Sequence, residues 1–122
     1  MAASSATLHE DPTRLGPEAI DRHRATMSII EEFEAADWYD QRALACDDGE
    51  LRAILIHNRD EEKEHAAMLL EWLRRHDQAL SDHLKAFVFG DGPIREAGTA
   101  ETPPLVPATD GSLEIGSLRG DA

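Results

Sequence analysis

From residue 18 to residue 89 the chain has no proline, and Gly49 is its only glycine there. Proline and glycine are the residues that end helices, so a stretch this free of them predicts long helices with one interruption. The interruption is Cys46-Asp-Asp-Gly49. Before it, Ile20, Met27, Ile30, Phe33, Ala36 and Ala43–Leu44 recur at roughly helical spacing. After it, Leu51, Leu55, Asn58, Glu62, His65, Leu69 and Trp72 are separated by 4, 3, 4, 3, 4 and 3 residues, one unbroken stripe. Asp47 or Asp48 suits the N-cap of the second helix. Each helix is about 28 residues, or about 42 Å long. A third, short helix is expected from Asp82 to Phe89, capped by Ser81 and stopped by Gly90-Asp-Gly-Pro93. No strand pattern is visible.

Two equal helices on a short turn make an antiparallel hairpin. One hairpin cannot cover the apolar seams of both helices, and about 70 ordered residues sit near the size where a single core is marginal. The expected fold is therefore all-α: an antiparallel two-helix hairpin plus a short C-terminal helix, dimerising into a four-helix bundle.

The flanks differ in texture. Residues 1–17 hold Pro12, Gly16 and Pro17 and read as a flexible arm before a hairpin domain at 18–94. Residues 90–122 hold four of the six prolines and six of the eight glycines. That composition predicts a disordered linker at 95–111 and a separate terminal motif at 112–122.

Charge limits the partners. The chain carries 25 acidic against 12 basic residues, a formal charge of −13. Such a surface repels phosphate backbones and anionic lipid, so neither nucleic acid nor a membrane is expected as a partner, whereas cations are. The longest clean apolar run, Ala66–Leu70, is far short of the ~20 residues a spanning helix needs. The first residues lack a cationic start and an apolar segment, so no secretory signal is expected and the default is a soluble cytoplasmic protein. The single cysteine, Cys46, excludes an intrachain disulfide and a cysteine zinc cluster, and with no base nearby it does not read as a nucleophile.

The second helix sets Glu62 and His65 in the middle of its apolar stripe. Burying a carboxylate and an imidazole is costly unless each is paired or bound to a metal. Glu62-Lys-Glu-His65 is a Glu-x-x-His step, which points both side chains the same way, and di-iron carboxylate bundles use that step on two of their four helices and a single Glu on the others. Level matching selects the single Glu. With the turn at residue 48, Glu62 and His65 lie 14 and 17 residues beyond it, and Glu32 lies 16 before it. Glu32, Glu62 and His65 thus form a three-ligand set, and a two-fold axis would join two sets into a centre for two metals. Tyr39 is seven residues from Glu32 on the same face. Glu31, Glu34 and Trp38, at i, i+3 and i+7, form a neighbouring stripe whose hard oxygen ligands suit Ca²⁺ or incoming Fe²⁺. Plainer readings exist: Glu61 with His65 as a surface pair, Glu31 and Glu34 as a solvated face, Trp38 and Trp72 as packing residues. His23, His57, His76 and His83 show no partner pattern and read as surface.

Three segments together resemble the encapsulated ferritins: Asp21-Arg-His-Arg24, Glu31-Glu-x-Glu-Ala-x-Asp-Trp-Tyr-Asp-Gln-Arg42, and His57-Asn-Arg-Asp-Glu-Glu-Lys-Glu-His-Ala-Ala-Met68 with Glu71-Trp-Leu-Arg-Arg75. The likeness covers roughly residues 21–94, including Phe89-Gly-Asp-Gly-Pro-Ile94. It implies two-helix subunits that pair around a di-iron ferroxidase centre, assemble into a decamer and are cargo inside an encapsulin nanocompartment in which iron is stored. On matching positions it implies Glu32, Glu62 and His65 as ferroxidase ligands with Tyr39 close by, and Glu31, Glu34 and Trp38 as an outer metal site. The terminal Ser112-Leu-Glu-Ile-Gly-Ser-Leu-Arg-Gly120 resembles the encapsulin-targeting peptide, with Leu113, Ile115 and Leu118 as spaced apolar anchors and Gly116, Ser117 and Arg119 between and beside them. The expected activity is oxidation of Fe²⁺ to Fe³⁺. The alternatives are a rubrerythrin-like peroxide scavenger and a non-catalytic helical oligomer held by metal.

Overall fold

The structure, a computed structural model, describes residues 7–98. They form α1 (Pro12–Ala45), α2 (Gly49–Arg75), α3 (Gln78–Phe87) and α4 (Ile94–Ala97), with no strand among the described residues. The greater part of the expected linker and the motif at 112–122 lie outside the described residues.

The first helix begins inside the segment expected to be an arm. Asp11 caps it: its Oδ1 accepts from the Thr13 backbone N–H at 3.0 Å and from Thr13 Oγ1 at 2.9 Å, and Pro12 sits at the first helical position where no donor is needed. The helix then breaks at Gly16 (φ 83°, ψ 161°). Two causes coincide there. Gly16 has no Cβ to oppose a left-handed φ, and the ring of Pro17 disfavours helical geometry at the residue before it. The break falls where the sequence places the domain boundary, and the long straight part of α1 begins after it.

The hairpin turn is built from polar caps. Asp48 is the N-cap of α2, its Oδ2 accepting from the Leu51 N–H at 2.8 Å. Arg52 donates through Nε to the Cys46 carbonyl at 2.9 Å, with Nη2 on the same oxygen, and so ties the first turn of α2 to the end of α1. The Cys46 N–H donates to Ala43 O at 3.3 Å.

The seam between α1 and α2 is lined by alanine. Ala25, Ala36, Ala43 and Ala66 are 2–7% exposed and are the buried apolar residues among the described ones. On α1 these positions share a face with Glu32 and Tyr39, because 25, 32 and 39 are seven apart, as are 36 and 43. Within one chain this seam buries only part of the expected apolar stripes. Ile30, Phe33 and Leu44, assigned to the α1 stripe, are exposed, and so are Leu51 and Trp72 on α2. Methyl groups let two helices approach closely, and the large side chains then stand on the flanks, beyond the reach of a single partner helix.

The third helix starts four residues earlier than expected. Asp77, not Ser81, supplies the cap, its Oδ1 accepting from the Leu80 N–H at 3.0 Å, and Ser81 is buried within the helix. The described residues divide into two compact units, up to Leu80 and from Ser81 onward. In the described part of the second unit α3 ends at Phe87, Phe89 is fully exposed in a left-handed conformation (φ 67°), and α4 forms a single turn after Pro93. No described helix is long and apolar enough to cross a membrane.

Candidate metal centre

Glu32 comes from the middle of α1, and Glu62 and His65 from the middle of α2. The antiparallel register brings them level. His65 Nδ1 lies 3.3 Å from Glu32 Oε1 and 3.4 Å from Glu62 Oε1. One oxygen from each carboxylate and one imidazole nitrogen fit within 4.8 Å of one another, the described group of three or more side chains able to hold a metal ion. The Glu-x-x-His step supplies two of these donors from one helix because residues three apart share a face.

The cluster lies at the edge of the alanine seam. The Glu32 and Glu62 side chains are 26% and 23% exposed and His65 is 45% exposed. The cost of burying these charges, expected from their place in an apolar stripe, is therefore softened by solvent on the His65 side. The electrostatics are still those of a crowded anionic site. Sharing a hydrogen bond with the Glu32 carboxylate raises the acid of Glu62 above its ordinary value, with partial burial and the charge of Glu32 acting in the same direction. Partial burial disfavours the charged form of His65, but its contacts with Glu32 and Glu62 more than offset that and hold its proton more tightly than usual. Two carboxylates that repel each other and an imidazole that fills its place with a proton make a donor set suited to a cation. Three side chains of hard oxygen and imidazole nitrogen also leave coordination positions free for further ligands, a pattern that suits iron and other first-row divalent ions.

The other residues singled out by sequence stand apart from this group. Tyr39 is half-buried on the Glu32 face, and the Arg42 guanidinium lies 5.5 Å from its ring centroid. Glu31, Glu34 and Trp38 are exposed on α1, and Asn58 is half-buried on α2. Among the histidines expected at the surface, His57 Nε2 is 3.2 Å from Glu61 Oε2, and His76 stacks on Trp72 with ring centroids 3.9 Å apart. An interhelix ion pair absent from the sequence expectations joins Arg59 to Asp40 at 2.9 Å. The level matching that found Glu32 contains the signal, since Asp40 lies 8 residues before position 48 and Arg59 lies 11 beyond it.

Comparison with known proteins gives a consistent picture. Residues 7–91 match the family model described as EncFtn-like. Over its whole length the chain is 51% identical to the encapsulated ferritin-like protein of Rhodospirillum rubrum, covering 94% of that protein. It is 33% identical to the encapsulin nanocompartment cargo protein EncC of Myxococcus xanthus, with 76% of this chain and 80% of that protein aligned. A crystal structure of a protein from Nitrosomonas europaea shares its fold with a TM-score of 0.68 at 56% identity, covering 71% of this chain and 96% of that one.

Proposed function

This chain belongs to the EncFtn-like family of encapsulated ferritin-like proteins, and from that premise we propose that it is a ferroxidase, oxidising Fe²⁺ to Fe³⁺ at a centre completed between two copies. The observation that carries the proposal is the convergence of Glu32, Glu62 and His65 from two helices to within 4.8 Å. Fe²⁺ is the substrate. The two carboxylates supply charge that favours the ferric product, and the imidazole adds a neutral donor of intermediate softness. One chain offers three ligands, so a two-fold partner that presents the same three gives four Glu and two His for two irons. The exposed apolar side chains on α1 and α2 support such pairing, since burying each large one contributes about 1.5–3 kcal/mol. Each Fe²⁺ gives up one electron, to O₂ or another oxidant, and the Fe³⁺ departs to mineralise outside the bundle.

Glu31 and Glu34, with Trp38 beside them, serve as an outer site that collects Fe²⁺ or holds Ca²⁺; their exposure on α1 supports access from solvent. Leu113, Ile115 and Leu118 address the chain to an encapsulin shell, a role favoured by the names of its relatives and by the spacing of the anchors. Dimers joined into a decamer inside that shell are the working form.

The test is aerobic addition of Fe²⁺ while near-ultraviolet absorbance is followed, with the oligomer and a dilute monomer compared per chain. Oxidation confined to the oligomer is expected. A folded monomer that oxidises iron as fast per chain would overturn the shared centre, and replacing O₂ by peroxide as the preferred oxidant would point to peroxide scavenging instead.

A further inference from the structure

Arg59 stands one turn before Glu62 on α2. At ~100° per residue it projects about 60° to one side of Glu62, while His65 projects about 60° to the other. An arginine three residues from a glutamate on a helix is within reach of its carboxylate. Further along α2, Arg74 does reach: its Nε and Nη2 donate to the two oxygens of Glu71 at 2.7 and 2.8 Å. Arg59 behaves differently. Its Nη1 donates to Asp40 Oδ1 on α1 at 2.9 Å and its Nε to Asp60 Oδ1 at 2.9 Å. Those two aspartates are its ion-pair partners among the described residues. Its side chain is 23% exposed, less than that of Arg24, Arg74 or Arg75 in their pairs.

Resting on the reading of Glu32, Glu62 and His65 as a metal centre, we propose that Asp40 and Asp60 hold Arg59 away from Glu62 and so keep the Glu62 carboxylate open to a cation. They are positioning residues that act through Arg59. A guanidinium lying on Glu62 would occupy with its fork the oxygens a metal needs, and would cancel the charge that attracts it. Asp40 draws the guanidinium toward α1 on the flank opposite His65, and Asp60 engages its Nε, so swinging the fork onto Glu62 would break one or both of these contacts.

The test is a Co²⁺ titration of the full chain, followed by the visible absorption of the bound ion, with helicity recorded beside it. Asp40→Asn frees Arg59 and should weaken Co²⁺ binding about tenfold, equivalent to about 1.4 kcal/mol. Adding Arg59→Gln removes the competing cation, and the double variant should return to within about twofold of the parent. Arg59→Gln alone should bind at least as tightly as the parent. Asp60→Asn breaks no contact between helices, so it carries the same prediction, with the same rescue, even where Asp40→Asn loosens the hairpin. Parent-like binding by both aspartate variants would overturn the proposal. So would a double variant as weak as Asp40→Asn, since an ion pair that merely braces the helices cannot be rescued by deleting its other half. Glu62→Gln is titrated in parallel: undiminished Co²⁺ binding there would instead overturn the metal centre itself.

Discussion

Cation binding at the Glu32–Glu62–His65 cluster should weaken steeply in mildly acid solution, and the geometry fixes the size of the effect. A metal ion needs the His65 nitrogen bare, yet the two glutamates hold the His65 proton above its ordinary value of 6.5. Around pH 6, therefore, each bound ion must displace that proton, and the apparent affinity should fall about tenfold per pH unit. Lower still, the acid of Glu62, raised above 4.5, also gains a proton, and the fall should approach about a hundredfold per pH unit. The same shifts set the sign for the metal-free protein. Both groups bind their protons more tightly folded than unfolded. Their contribution is complete below 6.5 for His65 and 4.5 for Glu62, and is lost as pH rises through the raised values. Metal-free stability should thus decline from mildly acid to neutral pH, and saturating Co²⁺ should reverse the trend. Calorimetric Co²⁺ titrations in two buffers of different ionisation enthalpy count the protons released, and denaturant melts with and without Co²⁺ follow stability. An affinity that stays flat between about pH 5.5 and 7, or a His65→Gln variant that keeps the parent slope, would refute the reasoning.

Four further outcomes are expected. Glu32→Ala, Glu62→Ala and His65→Ala should each remove most Fe²⁺ oxidation with helicity retained, because the proposed two-fold centre would lose two ligands at once; near-normal oxidation by Glu62→Ala would point to Glu61 or Glu64. Ala66→Leu forces a larger side chain into a site that is 2% exposed and should cost about 1–3 kcal/mol in a urea melt. Arg74 and Arg75 hold the Glu71 carboxyl down to about 2 from 4.5, and with its side chain 44% exposed the screened contribution is about 1 kcal/mol, so Glu71→Gln should destabilise by that much above pH 4.5 and progressively less as pH falls toward about 2. Truncation after Asp110 should leave iron oxidation intact and abolish co-purification with a co-expressed encapsulin; full loading of the truncated chain would place the address on the helical body.

The hairpin and its site were legible in the sequence for different reasons. Breakers mark helix ends, and Gly49 with Asp48 located the turn to within a residue. The convergence of Glu32, Glu62 and His65 was readable because two independent patterns agree, the three-residue step from Glu62 to His65 and the similar distances from the turn (16 residues against 14 and 17) that match Glu32 to them. The core was not readable in the same way. Periodicity reports that apolar residues recur at helical spacing, but α1 carries them on more than one face, so the stripe took in Ile30, Phe33 and Leu44 beside the buried Ala36 and Ala43 and missed Ala25. Only the close approach of α2 decides between those faces. The start of α3 was misplaced because Asp77 and Ser81 are both good caps, and the choice between them depends on where α2 ends. Arg59 was passed over because a charge run on a helix reads as solvated until a partner on the other helix is seen.

The large apolar side chains left on the flanks of the hairpin make this fold a concentration-dependent object. Whatever covers Ile30, Phe33, Leu51, Ile54, Met68 and Trp72 stabilises the chain by mass action, so its melting point should climb with its own concentration. If each chain carries half a centre, as proposed, iron oxidation should grow faster than in proportion to the protein present, since dilution would both loosen the helices and separate the ligands. Many copies gathered in one small volume would be fully active, and a single copy that drifts free would bind iron weakly and leave its oxidation state unchanged.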